Sequence, residues 1–217
     1  MDPINVKVSG QNIIDLFHWM FYQSQNTWAS AKWMGVPCLQ NPFDLWVMQE
    51  IISETKPDII IETGTASGGS ALFYVSANPR LQVISIDKNV NLESVPKFEH
   101  KNIWWKNGES TDPDVVADVR KAVGFGNRVM AILDSDHSTE NVLAEMRLYG
   151  PMVSSGCYMV VNDTNVGGNP VHSPQVPGAG PMGAVKAFME ENRDFDIDKS
   201  REKFILTFHP NGWLKRK

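Results

Sequence analysis

The stretch "DIIIETGTASGGSALFYVS", Asp58 to Ser76, decides how the rest of the chain is interpreted. It opens with an apolar, β-branched run that ends in Glu62, passes through a cluster of small residues, and continues in a helix-like pattern. This order predicts a buried strand, a tight turn and a helix. Open parallel sheets bind ligands beyond the carboxyl ends of their strands, so we expect the turn after Glu62 to border a ligand site.

The composition bounds the class of protein. The chain has 217 residues, 42% of them apolar and 21% charged, which is enough for one α/β domain with a sizeable core. A formal net charge of −5 argues against a nucleic-acid backbone as the main partner. No apolar run is long enough to span a bilayer and the N-terminus lacks an apolar signal core, so we expect no membrane partner and a cytoplasmic location. Cys38 and Cys157 are the only cysteines, and we expect reduced thiols.

Further apolar runs alternate with helix-like segments along the chain. Runs suited to buried strands cover residues 58–62, 81–87, 102–107, 129–134 and 157–163. Helices are predicted for residues 42–56, with Pro42 at the start, and for residues 138–150, with Ser138 as the cap and Gly150 as the stop. This alternation predicts a mostly parallel sheet that is covered on both faces. Near the end, "DFDID" (194–198) and "KFILTF" (203–208) follow a helix directly, which predicts an antiparallel pair at the sheet edge.

The turn after Glu62 indicates the kind of ligand. Its small residues allow close approach of a ligand, and Gly64 can adopt a positive φ. The dinucleotide pattern G-x-G-x-x-G is absent because residue 66 is Ala, and the P-loop lysine is absent too. An anionic pyrophosphate would sit badly beside Glu62, whereas a cationic ligand would sit well.

S-adenosylmethionine fits this expectation, because its amino group and its sulfonium are both positive. Asp87 ends the second predicted strand, where a carboxylate can bind both ribose hydroxyls, and "NGES" (107–110) follows the third, where it can border the adenine. Each acid alone could be only a strand-end residue, but their register at consecutive strand ends favours a joint site. The predicted cofactor-binding residues are Glu62, Gly64, Thr65, Ser67, Gly68, Ser70, Asp87, Lys88, Gly108, Asp134 and Asp136.

Several motifs together resemble a known family. "E-T-G-T-x-x-G-G-S", "ISID" and "ILDSDHS" resemble class I S-adenosylmethionine-dependent methyltransferases. The flanking segments, residues 33–65 and 180–216, are similar to the cephalosporin hydroxylase-like family, which includes rhamnosyl O-methyltransferases. The resemblance implies a Rossmann-like α/β fold: a mostly parallel seven-stranded sheet with helices on both faces and an antiparallel C-terminal strand pair. It also implies a single methyltransferase domain over residues 1–217, with residues 1–41 as an N-terminal lid or helical extension.

The resemblance also implies a metal site. In this fold the strands that end at Asp134 and at Asn162-Asp163 are neighbours, so their side chains can converge. Two carboxylates and an amide oxygen suit Mg²⁺ or another hard divalent cation. Catechol-type methyltransferases place Asp-Asn at the second position and the cephalosporin hydroxylase-like family tends to have Glu-Asp, so Asn162-Asp163 matches neither order. The alternative is that Asp134 holds only the cofactor and no metal binds.

His137 lies three residues after Asp134, where the catechol-type enzymes carry a lysine as general base. Histidine titrates nearer neutrality and can do the same work, so His137 and Asp134 are the predicted catalytic residues. Alternatively, His137 only hydrogen-bonds the loop at the start of a helix. His172, in the long loop, is a weaker candidate for the base.

The predicted function is methyl transfer from S-adenosylmethionine to a hydroxyl of a small molecule, such as a sugar or a natural-product scaffold. We expect the Trp-rich N-terminal segment and residues 164–181 to form a lid, and a homo-oligomer is compatible with the sequence. One alternative is a non-catalytic S-adenosylmethionine-binding subunit of a cephalosporin-hydroxylase-type system. A non-haem iron oxygenase is disfavoured, because no histidine in the sequence is followed at two residues by an acid.

Overall fold

The computed structural model describes residues 9–88, 98–176 and 178–217. Residues 1–8 of the predicted N-terminal extension and residue 177 of the predicted lid loop lie outside the described residues. The main sheet has seven strands in the order β3-β2-β1-β4-β5-β7-β6. These are β1 Ile59–Thr63, β2 Gln82–Asp87, β3 Ile103–Asn107, β4 Val129–Leu133, β5 Tyr158–Val161, β6 Phe195–Ile197 and β7 Trp213–Arg216. Strands β1 to β5 are parallel, and β7 runs antiparallel to both β5 and β6, as the resemblance implies.

Helices cover both faces of this sheet. They are α1 Gly10–Phe17, α2 Pro42–Thr55, α3 Gly69–Ala77, α4 Pro113–Val123, α5 Thr139–Tyr149 and α6 Gly180–Glu191. Ile59 and Ile61 belong to the core cluster under α4, α5 and α6, whereas Ile60 belongs to the cluster under α2 and α3. Because successive side chains of a strand point to opposite faces, a strand covered on both sides is apolar at every position. This confirms the predicted α/β fold.

The predicted helix starts are confirmed by their caps. Asn41 accepts a hydrogen bond from the backbone N–H of Phe43 at 3.2 Å, with Pro42 in the first turn of α2. The Ser138 hydroxyl accepts from the N–H of Asn141 at 3.3 Å at the start of α5. These bonds satisfy N–H groups that have no partner inside the helix.

The position of the last strand was predicted incorrectly. Residues 203–208 lie outside the sheet, and the partner of β6 is β7, Trp213–Arg216. A short 3₁₀ helix, Lys199–Glu202, also lies between the two predicted strands. In residues 203–208 the side chains of Phe204 and Ile205 are exposed, and the N–H of Phe208 donates to the buried Asp44 carboxylate instead of to a strand. The C-terminal pair at the sheet edge is therefore antiparallel as predicted, but its second strand comes later in the chain.

The N-terminal segment packs beside the sheet and not within its core. After α1 it continues through a π-helix, His18–Ser24, a 3₁₀ turn, Thr27–Ser30, and a hairpin that pairs Lys32–Trp33 with Val36–Pro37. Aromatic rings of this segment contact Phe208, among them the His18 ring at 5.8 Å between centroids. Among the described residues, no helix is both long and apolar enough to cross a bilayer. Both cysteines are buried free thiols, as expected.

Candidate active site

A cavity of about 750 Å³ opens at the carboxyl ends of the parallel strands. Each of the first five strands contributes to its wall through residues at or after its carboxyl end: 64–67 with Gly69 and Ser70 after β1, Asp87 and Lys88 at β2, 108–110 after β3, 134–137 after β4, and Asp163 after β5. The opposite wall comes from the N-terminal segment and from residues 173–176. A cavity of this size can enclose a cofactor together with a small acceptor.

Glu62 lies beneath this cavity and does not line it. Its side chain is 0% exposed, and its two carboxylate oxygens accept hydrogen bonds from the hydroxyls of Ser70 and Ser85, both at 2.5 Å. Burial raises the pKa of Glu62 to about 8. The sequence analysis placed Glu62 against the cationic ligand, whereas the structure assigns it to a buried brace that ties the start of α3 to β2.

The glycine-rich turn is shaped by the neighbouring strand as well as by a ligand. Gly64 has a φ of 88°, and a Cβ there would collide with the carbonyl oxygen of Asp134. The positive φ that the sequence analysis allowed for Gly64 is confirmed, and the nearest obstacle to a Cβ there is this backbone. The Asp87 carboxylate accepts from the N–H groups of Thr65 at 3.0 Å and Ala66 at 3.2 Å, so it fixes the turn from the side of β2.

Three side chains meet where β4 and β5 end. The possible ligand atoms of Asp134, His137 and Asp163 all lie within 4.8 Å of one another. The Nε2 atom of His137 is 3.4 Å from the Oδ2 atom of Asp163. All three residues also line the cavity, so the structure brings the predicted base and the two predicted metal carboxylates into one cluster.

Two side-chain amides, those of Gln40 and Asn162, lie next to this cluster. The Nε2 atom of Gln40 donates to Oδ2 of Asp134 at 2.6 Å, and the amide nitrogen of Asn162 donates to Oε1 of Gln40 at 3.4 Å. Asn162 is buried, and its Oδ1 atom has no hydrogen-bond partner. A buried amide oxygen without a partner is costly in a folded protein, so this position is suited to a further ligand.

The cavity is acidic. Its wall carries the carboxylates of Asp87, Glu109, Asp134, Asp136 and Asp163, against the cations Lys88 and, when protonated, His137. Burial, with a smaller contribution from the charge of Asp163, raises the pKa of Asp134 to about 7. Burial also raises the pKa of Asp163 to about 7, with the charge of Asp44 adding to it. Burial therefore disfavours the charged form of both carboxylates, and a cation bound beside them would favour that form.

Most of the predicted site residues line the cavity. The predicted cofactor-binding residues that do so are Gly64, Thr65, Ser67, Ser70, Asp87, Lys88, Gly108, Asp134 and Asp136. Glu62, Gly68 and Asn162 are not among the lining residues, although Asn162 lies directly behind Asp134. His172 is exposed and is not among the described residues that line the cavity.

The sequence analysis expected a lid from the N-terminal segment and residues 164–181, but it named none of the side chains that these segments contribute to the cavity wall. Tyr22, Asn26, Trp28 and Gln40 come from the N-terminal segment, and Gln175 comes from the long loop. The rings of Tyr22 and Trp28 are stacked with centroids 5.3 Å apart. The tryptophan-rich composition of this segment predicts a lid, but no local pattern marks Gln40 or Tyr22 as site residues.

Comparison with known proteins identifies relatives over nearly the whole chain. The profile of the family described as "Rhamnosyl O-methyltransferase/CmcI" matches residues 25–217. A rhamnosyl O-methyltransferase of Mycobacterium leprae is 37% identical over 213 residues, which is 95% of this chain and 91% of the relative. A rhamnosyl O-methyltransferase of Mycobacterium tuberculosis is 35% identical over 205 residues, covering 90% and 82% of the two chains.

Solved structures share the fold at lower sequence identity. A CmcI structure with Mg and S-adenosylmethionine superposes with a TM-score of 0.65 and 21% identity, covering 87% of this chain and 77% of that one. The O-methyltransferase TomG of Streptomyces achromogenes, in complex with S-adenosylmethionine, gives a TM-score of 0.55 and 14% identity, with coverage of 84% and 86%. These similarities confirm the class I methyltransferase fold.

Proposed function

The chain belongs to the rhamnosyl O-methyltransferase/CmcI family of S-adenosylmethionine-dependent methyltransferases, and on that premise we propose that it methylates a hydroxyl of a sugar-bearing small molecule with the help of a hard divalent cation. One observation carries the proposal: Asp134, His137 and Asp163 meet inside the cavity that borders the glycine-rich turn. A methyl donor at the turn and an acceptor at this cluster would lie side by side.

The donor site is proposed along the first two strand ends. The turn from Gly64 to Ser70 leaves room for the cofactor against the backbone, and Asp87 stands where it can accept from ribose hydroxyls. The acidic wall favours a ligand that carries a sulfonium and an ammonium group. Glu62 supports this site from below through Ser70.

The residues at the ends of β4 and β5 fit a hard divalent cation. Asp134 and Asp163 would hold it, and Asn162, whose side chain lies beside Asp134 and whose buried Oδ1 has no partner, could add a further oxygen. Burial raises the pKa of both carboxylates, and a nearby cation would favour their charged forms, which supports the proposal. When bound, the cation would lower the pKa of the acceptor hydroxyl.

His137 is the proposed general base. Its Nε2 atom faces the carboxylate cluster, where the acceptor hydroxyl would lie. The acceptor oxygen forms a bond to the methyl carbon as the carbon–sulfur bond breaks, the sulfonium becomes a neutral thioether, and the hydroxyl proton passes to His137. The remaining work of the protein is to hold donor and acceptor in line.

The wall contributed by the N-terminal segment supports a sugar acceptor. Tyr22 and Trp28 present stacked aromatic rings, and Asn26 and Gln175 add amide groups on the same side of the cavity. Aromatic rings can pack against the apolar face of a sugar, and a few polar groups can form hydrogen bonds with its hydroxyls. The relatives named rhamnosyl O-methyltransferases favour the same class of acceptor. We propose that this segment and the loop of residues 164–181 form a lid over the acceptor.

A methyl-transfer assay on an acceptor panel tests this proposal. The chain would be incubated with S-adenosylmethionine labelled at the methyl group, Mg²⁺, and rhamnosides, other hexosides or catechol. We expect label in a sugar ether and none in catechol. Trp28→Ala should raise KM for the sugar and leave cofactor affinity unchanged, whereas Trp46→Ala, which removes an exposed tryptophan outside this cavity, should change neither. Label in catechol alone, or equal KM values for both variants, would contradict the sugar assignment.

A further inference from the structure

Asp163 holds a left-handed backbone conformation. Its φ is 53°, in a region that aspartate adopts more readily than most residues other than glycine but that is still strained. The same residue supplies a carboxylate to the cluster with Asp134 and His137. Something in the surrounding structure must therefore hold the backbone of Asp163 in place.

The imidazole of His209 makes the contact that does so. The backbone N–H of Asp163 donates to the Nδ1 atom of His209 at 3.0 Å. Because Nδ1 accepts this bond, a neutral His209 carries its proton on Nε2. The ring is buried and packs edge-on against Trp213, with the ring centroids 5.3 Å apart.

A buried carboxylate stands on the other side of that ring. The Nε2 atom of His209 is 3.8 Å from Oδ2 of Asp44 in α2. Asp44 is itself fixed by the Thr207 hydroxyl at 2.5 Å and by the N–H of Phe208 at 2.8 Å. The backbone N–H of His209 donates to the same Thr207 hydroxyl at 2.9 Å, so the segment that carries the ring is anchored to α2.

We propose that Asp44 and His209 form a buried positioning relay that fixes the conformation of Asp163 and so directs its carboxylate toward Asp134 and His137. Neither relay residue is among the described residues that line the cavity, so both act through Asp163 and not on the substrate. One part of this inference, the expected effect of the relay on metal affinity, rests on the proposed function.

His209→Leu and His209→Asn form the test pair. Leucine fills the buried space without an acceptor, whereas the asparagine oxygen can take the place of Nδ1 and keep the bond to Asp163. We expect His209→Leu to weaken Mn²⁺ binding by about 10–100-fold, the usual effect of removing a group that orients a metal ligand. His209→Asn should recover most of this loss. Affinity for S-adenosylhomocysteine should stay within about twofold of the parent in both variants, because the glycine-rich turn is untouched.

A matched control separates positioning from general loss of stability. Tyr158→Phe removes a hydrogen bond of 2.5 Å to Asp198 from the strand that precedes Asp163, away from the cavity wall. It should lower the melting temperature and leave Mn²⁺ affinity unchanged. If His209→Leu does not fold, Asp44→Asn takes its place with hydrogen exchange of the Asp163 amide as the readout, because the charge of Asp44 also acts directly on Asp163 and changes Mn²⁺ affinity by itself. We expect that amide to exchange faster than in the parent.

Hydrogen exchange of the Asp163 amide gives a readout that needs no metal. We expect this amide to be protected in the parent and in His209→Asn, and to exchange faster in His209→Leu relative to the other amides of the same strand end. If the parent binds no Mn²⁺, the metal part of the proposed function fails, and the exchange result alone decides the relay. Unchanged protection in His209→Leu, or Mn²⁺ affinity equal to that of the parent, would overturn the relay.

Discussion

The Nε2 atom of His137 lies 3.4 Å from the Oδ2 atom of Asp163, and the two side chains come from loops after different strands. The contact can be read in two ways. Either His137 is a general base that stands beside a metal carboxylate, or it is itself a ligand of the metal. The two roles predict different behaviour for the corresponding variants, and the proposed function takes the first.

The His137→Ala variant should still bind the metal but should transfer the methyl group more slowly. We expect methyl transfer to fall by about 10²–10⁴-fold, the usual contribution of a positioned base, with Mn²⁺ affinity unchanged. Asp163→Ala should instead lose the metal, because it removes a carboxylate ligand. Single-turnover rates and Mn²⁺ titrations measure the two effects, and His172→Ala, at an exposed histidine outside the cavity wall, is the control. Loss of Mn²⁺ binding in His137→Ala would make His137 a ligand.

Asn162→Asp should tighten the divalent ion and weaken the ion-free protein. A charged oxygen replaces an amide dipole, which raises the affinity for a hard cation. Without the ion, the new carboxylate is buried beside Asp134 and opposite the Oε1 atom of Gln40, so the melting temperature should fall. Thermal melts with and without Mn²⁺ measure both effects: the lower melting temperature of the ion-free variant and its larger stabilisation by the ion. A Mn²⁺ affinity no higher than that of the parent would remove Asn162 from the metal site.

Gly64→Ala should destabilise the protein more than Gly126→Ala, although the two glycines have nearly the same φ angle. Their φ angles are 88° and 86°, but a Cβ on Gly126 meets nothing within 4 Å, whereas one on Gly64 collides with the carbonyl of Asp134. We expect Gly64→Ala to lower the free energy of unfolding by about 1–3 kcal/mol more than Gly126→Ala, and to weaken S-adenosylhomocysteine binding. Equal decreases in the free energy of unfolding, measured by urea denaturation, would show that the backbone of Asp134 can move away from the new Cβ without loss of stability.

Glu62→Gln should change how stability depends on pH. Burial raises the pKa of Glu62 from 4.5 to about 8, so between these values the folded protein holds a proton that the unfolded chain has released. The stability that this proton contributes is fully present below about pH 4.5 and is lost as the pH rises through about 8. Glutamine does not titrate. The free energy of unfolding of the parent should therefore fall relative to that of Glu62→Gln as the pH rises from 5 to 8. Parallel curves of unfolding free energy against pH would contradict the raised pKa.

The fold could be predicted from the sequence because its central strands are apolar at every position. Runs such as Ile59–Ile61 have no other stable place than between two helical layers. Strand β7 could not be found in this way. It has only four residues, Trp213–Arg216, of which two are basic, while "KFILTF" is the more apolar run nearby. A hydrogen bond to the Asp44 carboxylate holds that run outside the sheet, and no local pattern reveals a partner so distant in sequence.

The sequence predicts the site residues at the strand ends but not those that come from other parts of the chain. Asp87, Asp134 and Asp163 follow apolar strands, and the topology of a parallel sheet gathers such positions at one edge. Glu62 has the same sequence signature, but its side chain points between the layers and binds Ser85. Gln40 reaches Asp134 across 94 residues, so only the folded chain shows that the two are partners.

Single-turnover methyl transfer with and without a metal chelator, on a sugar acceptor that the chain methylates, tests the central claim most directly. The proposed donor site lies along the glycine-rich turn and Asp87, apart from Asp163, so we expect chelation to stop transfer while S-adenosylhomocysteine still binds in a parallel titration. Added Mg²⁺ should restore the rate. Full activity in the presence of chelator would contradict the account: it would remove Asp163 and Asn162 from the chemistry and leave a metal-free transfer in which His137 acts alone.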